Sequence, residues 1–326
     1  MNGLTHRTVE TNGIRMHVAE QGEGPLVLMC HGFPESWYSW RHQLPALAEA
    51  GFRAVAPDMR GYGQTDQPRE IDQYTLLHSI GDMVGLFDAL GAEGAVIAGH
   101  DWGAPLAWAA AVLRPDRFRG VIALSGPFGP RGSSRPTTVM PQSGDTIFYQ
   151  LYFQRPGVAE AEFERNVRLT IRSILCSISG DAPRLVGSVA DRNAVGMVHR
   201  EAGFLAQMVN PDALPSWLSE ADVEFYAAEF ARTGFRGGLN WYRNIDRNWE
   251  LFGAFAGAKV TLPALYIAGE RDVVLDFAGV RERIPNMAQF VPLLCGTIIL
   301  PGCGHWTQQE RAPAVNAAMI DFLRGL

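Results

Sequence analysis

Three side chains in this chain of 326 residues stand where covalent chemistry could be done: Asp101, Asp272 and His305. Asp101 lies in the run Val96-Ile97-Ala98-Gly99-His100-Asp101-Trp102-Gly103. An apolar, strand-like stretch feeds a small-x-acid-x-small turn, and an Ala-rich, helix-like stretch follows from Ala104 to Leu113. This is the layout of a nucleophile elbow, in which a strained strand-to-helix turn raises one side chain above a parallel sheet. The usual occupant is Ser. A Ser that attacked saturated carbon would leave an ether, which water does not cleave at useful rates, whereas a carboxylate leaves an ester, which water can cleave. Asp in the elbow therefore points to substitution at sp³ carbon, in an epoxide or an alkyl halide. The plainer alternative is an Asp that only caps the helix after it.

Cleaving that ester needs a base to activate water. Ligand sites in open α/β sheets lie beyond the carboxyl ends of strands. Two such positions are open. Ala264-Leu265-Tyr266-Ile267-Ala268-Gly269 leads into Glu270-Arg271-Asp272, and Thr297-Ile298-Ile299-Leu300 leads into Pro301-Gly302-Cys303-Gly304-His305-Trp306. His305 is assigned as general base and Asp272 as the carboxylate that orients its imidazole and steadies the imidazolium. A lone late His is more often structural, and the chain order acid, acid, His is what lifts it. Glu270 and Asp276 are the rival acids, and Asp272 could simply cap Val273-Val274-Leu275.

The elements around these residues read as an alternating α/β domain with a break. Thr5–Val9 and Ile14–Ala19 form a hairpin through Asn12-Gly13. Leu26–Cys30, Phe52–Ala56, Val96–Gly99 and Gly120–Leu124 read as strands. Glu35–Ala50, with a break expected at Pro45, and Leu76–Leu90 read as helices. Such alternation argues for a mostly parallel sheet covered on both faces. Residues 128–145 read as loop. From Thr146 to about Asn248 the chain shows helix-like segments and no convincing strand, among them Gly157–Ser177, Ala213–Ala231 and Gly238–Trp249. Strands resume at Ala264–Ala268 and Gly296–Leu300, and Ala312–Leu323 closes the chain as a helix. The expected division is a core of residues 1–127 and 249–326 with a helical cap inserted at 128–248.

Composition excludes several classes. Hydrophobic content is 47% and charge 19%, which are globular values. A net charge of −6 gives no reason to expect nucleic acid or an anionic membrane as partner. Lys259 stands alone against Arg elsewhere. Cys30, Cys176, Cys295 and Cys303 make no CxxC and no metal spacing, so they read as reduced thiols. The N-terminus lacks the basic-then-apolar pattern of a signal peptide, and no apolar run reaches the ~20 residues that span a bilayer. The expected location is the cytoplasm, with no metal, no cofactor, no nucleic acid and no membrane partner.

Six pieces now carry a resemblance: His31-Gly32-Phe33-Pro34, Asp58-Met59-Arg60-Gly61-Tyr62-Gly63, Gly99-His100-Asp101-Trp102-Gly103, Tyr149-Gln150-Leu151-Tyr152-Phe153-Gln154, Leu239-Asn240-Trp241-Tyr242-Arg243-Asn244 and Gly304-His305-Trp306. The chain resembles the soluble epoxide hydrolases of the α/β-hydrolase fold, over their catalytic domain and without the N-terminal phosphatase domain of the vertebrate enzymes. The first three pieces recur across α/β-hydrolases; the two tyrosine-bearing pieces are specific. The resemblance implies that Tyr149 and Tyr242 on the cap hydrogen-bond the epoxide oxygen and protonate it. Tyr152 competes with Tyr149, and the family's spacing to Phe-Gln selects Tyr149. It implies an oxyanion hole from the backbone N–H groups of Phe33 and Trp102, a cis Phe33-Pro34 bond, and Trp102, Gln150 and Phe153 at the substrate. It also implies an apolar epoxide as the small-molecule partner and a homodimer formed through the cap. The cap aromatics Phe148, Phe153, Phe163, Phe204, Trp217 and Phe225 fit such a substrate.

Two rivals remain at this point. Haloalkane dehalogenases also use an elbow Asp followed by Trp, but usually carry Asn where Phe33 stands and lack the paired tyrosines. Fluoroacetate dehalogenases share His-Gly-Phe-Pro but usually carry Arg where Trp102 stands. From another class, this fold also supports small-molecule receptors without turnover, which an intact Asp101, Asp272 and His305 set disfavours.

Overall fold

The computed structural model describes residues 3–183 and 195–326. Eleven strands appear among them: β1 Thr5–Thr11, β2 Ile14–Gln21, β3 Leu26–Cys30, β4 Arg53–Pro57, β5 Ala95–His100, β6 Phe118–Leu124, β7 Gln142–Ser143, β8 Thr146–Phe148, β9 Met197–His199, β10 Ala264–Gly269 and β11 Leu294–Leu300. Eight of them form one sheet in the order β1-β2-β4-β3-β5-β6-β10-β11. The β1–β2 hairpin and the β2–β4 pair are antiparallel, and every other pairing in this sheet is parallel. Asn12 and Gly13 both take positive φ, +44° and +77°, as a two-residue hairpin turn that matches strand twist requires.

The central strands are continuous apolar runs because both faces are covered. β3, β5 and β10 are buried along their whole length. The helices Leu76–Ala89 and Gly103–Leu113 pack on one face. Gln43–Glu49 and Ala312–Arg324 pack on the other, with Leu44, Leu47, Val315 and Met319 fully buried. The chain runs outward from β3 to β4 and then returns past β3 to β5. The crevice between β3 and β5 is therefore a topological switch point, where ligands bind such sheets. The result is an α/β-hydrolase fold.

The helix boundaries differ from the sequence expectations for local reasons. Pro45 breaks nothing, because it sits in the first turn of Gln43–Glu49, where its missing N–H has no helical partner to lose. The break falls earlier, between the 3₁₀ turn Trp37–Trp40 and that helix. The 157–177 helix is two, Val158–Phe163 and Val167–Ser177, the second capped by the Asn166 side chain. The 213–231 helix begins only at Glu220, where Ser219 and Asp222 close a capping box. The 238–249 stretch is likewise two helices, Arg236–Arg243 and Ile245–Leu251.

Two expectations are corrected: residues 128–145 are not all loop but hold the short helix Pro136–Val139 and β7, and the stretch from 146 to 248 holds β8 and β9. β7, β8 and β9 make a small antiparallel sheet in that order. Strands of two and three residues are too short to show alternation, and β9 joins β8 across about fifty residues of chain. Residues 184–194 of the proposed cap lie outside the described residues. The inserted segment is seated on Phe33, whose ring meets Phe153, Phe163, Phe230, Phe235 and Tyr242 at centroid distances of 5.5–6.4 Å. Tyr38 Oη donates to Asp222 at 2.9 Å and Trp241 Nε1 to the Arg60 carbonyl at 3.0 Å, which adds polar bonds across the same seam.

The tightest packing is at the turn after β5. A Cβ on Gly99 would lie 1.9 Å from the Gly103 carbonyl oxygen, a backbone atom that cannot swing aside. We expect Gly99→Ala to cost about 3 kcal/mol by urea unfolding, the upper end for overpacking, whereas a loss below about 1 kcal/mol would mean the turn can open.

Candidate active site

Asp101 sits at the tip of that turn with φ +49°, a left-handed conformation that a non-glycine residue adopts only when the surroundings hold it there. β5 ends at His100 and the next helix starts at Gly103, so only Asp101 and Trp102 make the turn. The Phe33 amide, from the loop after β3, donates to Asp101 Oδ1 at 2.7 Å. The Trp102 amide, the other expected oxyanion donor, makes no hydrogen bond to that carboxylate. The Phe33-Pro34 bond is cis.

His305 reaches the same point from the loop after β11. Its Nε2 lies 3.6 Å from Asp101 Oδ2 and its Nδ1 lies 2.9 Å from Asp272 Oδ1. Asp272 is fully buried and also accepts from the Val274 amide at 3.0 Å, so it caps the 273–276 turn and faces His305 at once. The rival acids are engaged elsewhere. Glu270 accepts from the Gly302 amide at 2.9 Å and Asp276 pairs with Arg281 at 2.9 Å.

Facing charges set how His305 and Asp272 titrate. Burial alone would push the His305 imidazole down, but the Asp272 charge and the bonds to Asp101 and Asp272 outweigh it and hold His305 well above its ordinary value. Burial alone would raise Asp272, yet the facing His305 brings it below its ordinary value. Before reaction His305 is thus an imidazolium between two carboxylates. Turning Asp101 into a neutral ester removes one of those anions and returns His305 toward the range of a base.

The tyrosines divide cleanly. Tyr149 and Tyr242 line one cavity with Asp101 and His305, their ring centroids 5.9 Å apart. Tyr152 points away and donates to Glu162 at 2.8 Å, so its proton is already used. Gln150 Nε2 donates to Tyr149 Oη at 3.0 Å, which leaves the phenol proton free. Gln154 Nε2 bonds the carbonyls of Gln150 and Tyr242, both at 2.9 Å, and so ties the two tyrosine segments together. Burial first, and then the nearby Asp101 charge, push both phenols above their ordinary value, so both are neutral donors.

The cavity has a volume of about 800 Å³ with its mouth included. Phe33, Phe153, Ile174, Phe204, Met208 and Phe277 supply most of its apolar wall. Trp102 and Gln150, expected at the substrate, are not among the residues that line the cavity: Trp102 packs edge-on to Tyr242 at 5.1 Å, and Gln150 reaches the Tyr149 hydroxyl. Of the six cap aromatics named from the sequence as fitting an apolar substrate, Phe153 and Phe204 line the cavity. Phe148 backs Tyr149, Phe163 lies in the core, Phe225 stacks on Tyr38 and Trp217 bonds Ser179. Among the described residues no group of His, Cys, Asp or Glu is arranged to hold a metal ion, and no helix is long and apolar enough to cross a membrane.

Three residues at the site had no signal in the sequence. Ser125, at φ +76° after β6, brings its Oγ to 3.3 Å from His305 Nδ1. His100 bridges Glu35 at 2.9 Å and the His305 carbonyl at 2.7 Å. Burial would raise Glu35, but His100 and His31 bring it down to about 2.

A group whose pKa rises on folding lends stability that is complete below its ordinary value, 6.5 for His305, and is lost as pH rises through the folded value. Asp101→Asn deletes one of the two charges that raise it. The His305 titration midpoint, read by NMR on the imidazole, is expected to fall in that variant. An unchanged midpoint would leave Asp272 as its sole determinant.

Comparison with known proteins agrees with this geometry. The alpha/beta hydrolase fold family matches residues 25–312. Epoxide hydrolase A of Mycobacterium tuberculosis is 44% identical, with 100% of this chain and 99% of that protein covered. Epoxide hydrolase 3 of Siraitia grosvenorii is 42% identical, with 99% of each covered. The crystal structure of epoxide hydrolase A from Mycobacterium thermoresistibile superposes with a TM-score of 0.91 at 46% identity, covering 99% of each chain. The chain therefore belongs to the epoxide hydrolases of the alpha/beta hydrolase fold.

Proposed function

We propose that this protein hydrolyses an apolar epoxide to a vicinal diol through an ester on Asp101. One observation carries the reading: an elbow carboxylate, an imidazole backed by a second carboxylate, and two neutral phenols with free protons meet in one apolar cavity.

The oxygen of the epoxide accepts from Tyr149 and Tyr242. Asp101 attacks a ring carbon, the carbon–oxygen bond breaks, and the oxygen takes a phenol proton. This leaves a hydroxyalkyl ester and a tyrosinate. With Asp101 neutral, His305 surrenders its proton to the tyrosinate through the cavity and becomes a base. It then takes a proton from water, and the hydroxide adds to the ester carbonyl. The oxyanion that forms falls to the Phe33 amide, already 2.7 Å from Asp101 Oδ1, with the Trp102 amide as second donor. Collapse expels the alkoxide, which takes the proton of the regenerated carboxyl. The products are the diol, ionised Asp101, protonated His305 and two phenols, so every proton is accounted for. All four cysteines are free thiols, which supports the cytoplasm as the compartment.

A styrene-oxide-type epoxide and a bromoalkane of similar size, offered in parallel, test the reaction class. We expect diol and no bromide. Bromide without diol would make the protein a dehalogenase, and melting shifts with neither product would make it a receptor. Tyr149→Phe and Tyr242→Phe should each lose roughly 10²–10³ in rate, as for one lost oxyanion donor. His305→Gln should accumulate the Asp101 ester, seen as added mass on the intact protein. Diol formation at the wild-type rate in that variant would exclude His305 as the base.

A further inference from the structure

Glu310 is a buried carboxylate to which the reaction above assigns nothing. It closes the short helix Thr307–Glu310, just past the catalytic loop. Its Oε2 accepts from the Gly304 amide at 2.8 Å and from the Gly180 amide at 2.9 Å, and its Oε1 accepts from the Trp306 amide at 3.1 Å. Gly304 and Trp306 are the residues on either side of His305. Gly180 belongs to the inserted segment, three residues past the helix Val167–Ser177.

The rest of the seam runs alongside. The His305 amide donates to the Ile178 carbonyl at 2.9 Å, and Trp306 Nε1 donates to the Leu175 carbonyl at 2.8 Å. Arg271 donates to the carbonyls of Gly180 and, at 2.8 Å, of Ala182. The two backbones touch: a Cβ on Gly304 would lie 2.2 Å from the Gly180 nitrogen, and one on Gly180 would lie 2.3 Å from the Gly302 oxygen. Ile174 and Ile178, on the same stretch as these partners, line the substrate cavity.

We propose that Glu310 is a positioning residue for ester hydrolysis, which clamps the loop of His305 onto the 174–180 segment that walls the substrate. One carboxylate joins the amides flanking the base to the wall that the substrate presses against. Three N–H donors converge on it; burial raises its carboxyl, and these three amide bonds act against that rise by favouring the carboxylate. Asp101 is held by its own turn and by the Phe33 amide rather than by this seam, whereas the water step depends on where His305 Nε2 points. Loss of Glu310 therefore strikes the second step and spares the first. This rests on His305 being the base.

The test uses the full protein, a styrene-oxide-type epoxide and rapid quench with intact mass, which reads ester formation and ester decay separately. Glu310→Gln keeps the shape but turns one acceptor into an NH₂ donor. We expect it to leave ester formation within about twofold and to slow ester decay roughly 10- to 100-fold, the loss produced by a reacting group displaced by up to about an ångström. Equal loss in both steps would mean general damage, and no loss in either would mean an idle contact; each overturns the proposal. Glu310→Asp keeps the charge but withdraws it by one methylene, and gives the same reading should Glu310→Gln fail to fold. His305→Gln runs beside them. If it accumulates ester while both Glu310 variants clear theirs normally, only the role of Glu310 falls. If it does not accumulate ester, the assignment of the base falls first.

Discussion

His305 is held out of bulk water with Asp272 2.9 Å from one ring nitrogen and Asp101 3.6 Å from the other. Two anions beside one buried imidazole favour its charged form, and His305 in turn holds Asp272 below its ordinary value where burial alone would raise it. The arrangement is stable only while Asp101 is an anion. In the proposed reaction, an ester on Asp101 would remove one of the two anions and shift the imidazole toward the range of a base. Neutral phenols fit the same logic: a free carboxylate beside Tyr149 and Tyr242 discourages a tyrosinate, and an ester does not. In the proposed reaction one covalent event would lower the proton affinity of all three groups, easing the loss of a phenol proton as the ring opens and freeing His305 to act as a base.

Such a device has to be kept rigid, and the residues beneath it are polar for that reason. Glu35 accepts from His100 and from the Gly32 amide at 2.8 Å, and His100 reaches the His305 carbonyl. The loops after β3, β5 and β11 are therefore fastened to one another below the reacting atoms. Arg60 and Asp82 form a second buried pair nearby, with Asp82 also accepting from Asn12 at 2.9 Å. Buried ionic groups of this kind add little net stability compared with apolar side chains. Their directional bonds confine each loop to one position, which apolar contacts do less well.

Above the reacting atoms the surroundings are nearly all hydrocarbon. Phe33 donates its amide to Asp101 and packs its ring against five aromatic rings of the inserted segment, so one residue sets both the nucleophile and the seating of that segment. Gln154 reaches both tyrosine segments and fixes the spacing of the two phenols. Apart from Gln207 and the groups at Asp101, His305, Tyr149 and Tyr242, the described lining of the cavity is apolar, which suits a ligand held chiefly by shape.

The order of strands and helices in the core was legible because a strand buried on both faces must be a continuous apolar run, as Leu26–Cys30 and Val96–Gly99 are. The elbow was legible because the strained turn at Asp101 tolerates only glycine at Gly99. The tyrosine pieces were legible through the family they resemble. Several features left no local trace. β7, β8 and β9 are too short to alternate. Pro45 could not announce that it falls in a first helical turn. Tyr149 and Tyr152 look alike by local pattern; the family's spacing selects Tyr149, and the bond from Tyr152 to Glu162 shows where the other phenol goes. Ser125, His100, Glu35 and Glu310 are ordinary polar residues in the sequence, and their importance comes from partners 65 to 205 residues away in the first three cases and 130 residues away for Gly180 and Glu310. By itself the sequence determined which chemistry the chain can do, because that depends on residue type and local geometry. The tertiary structure decided which charges face His305 and which groups hold its loop, because both depend on distances between residues that the sequence places far apart.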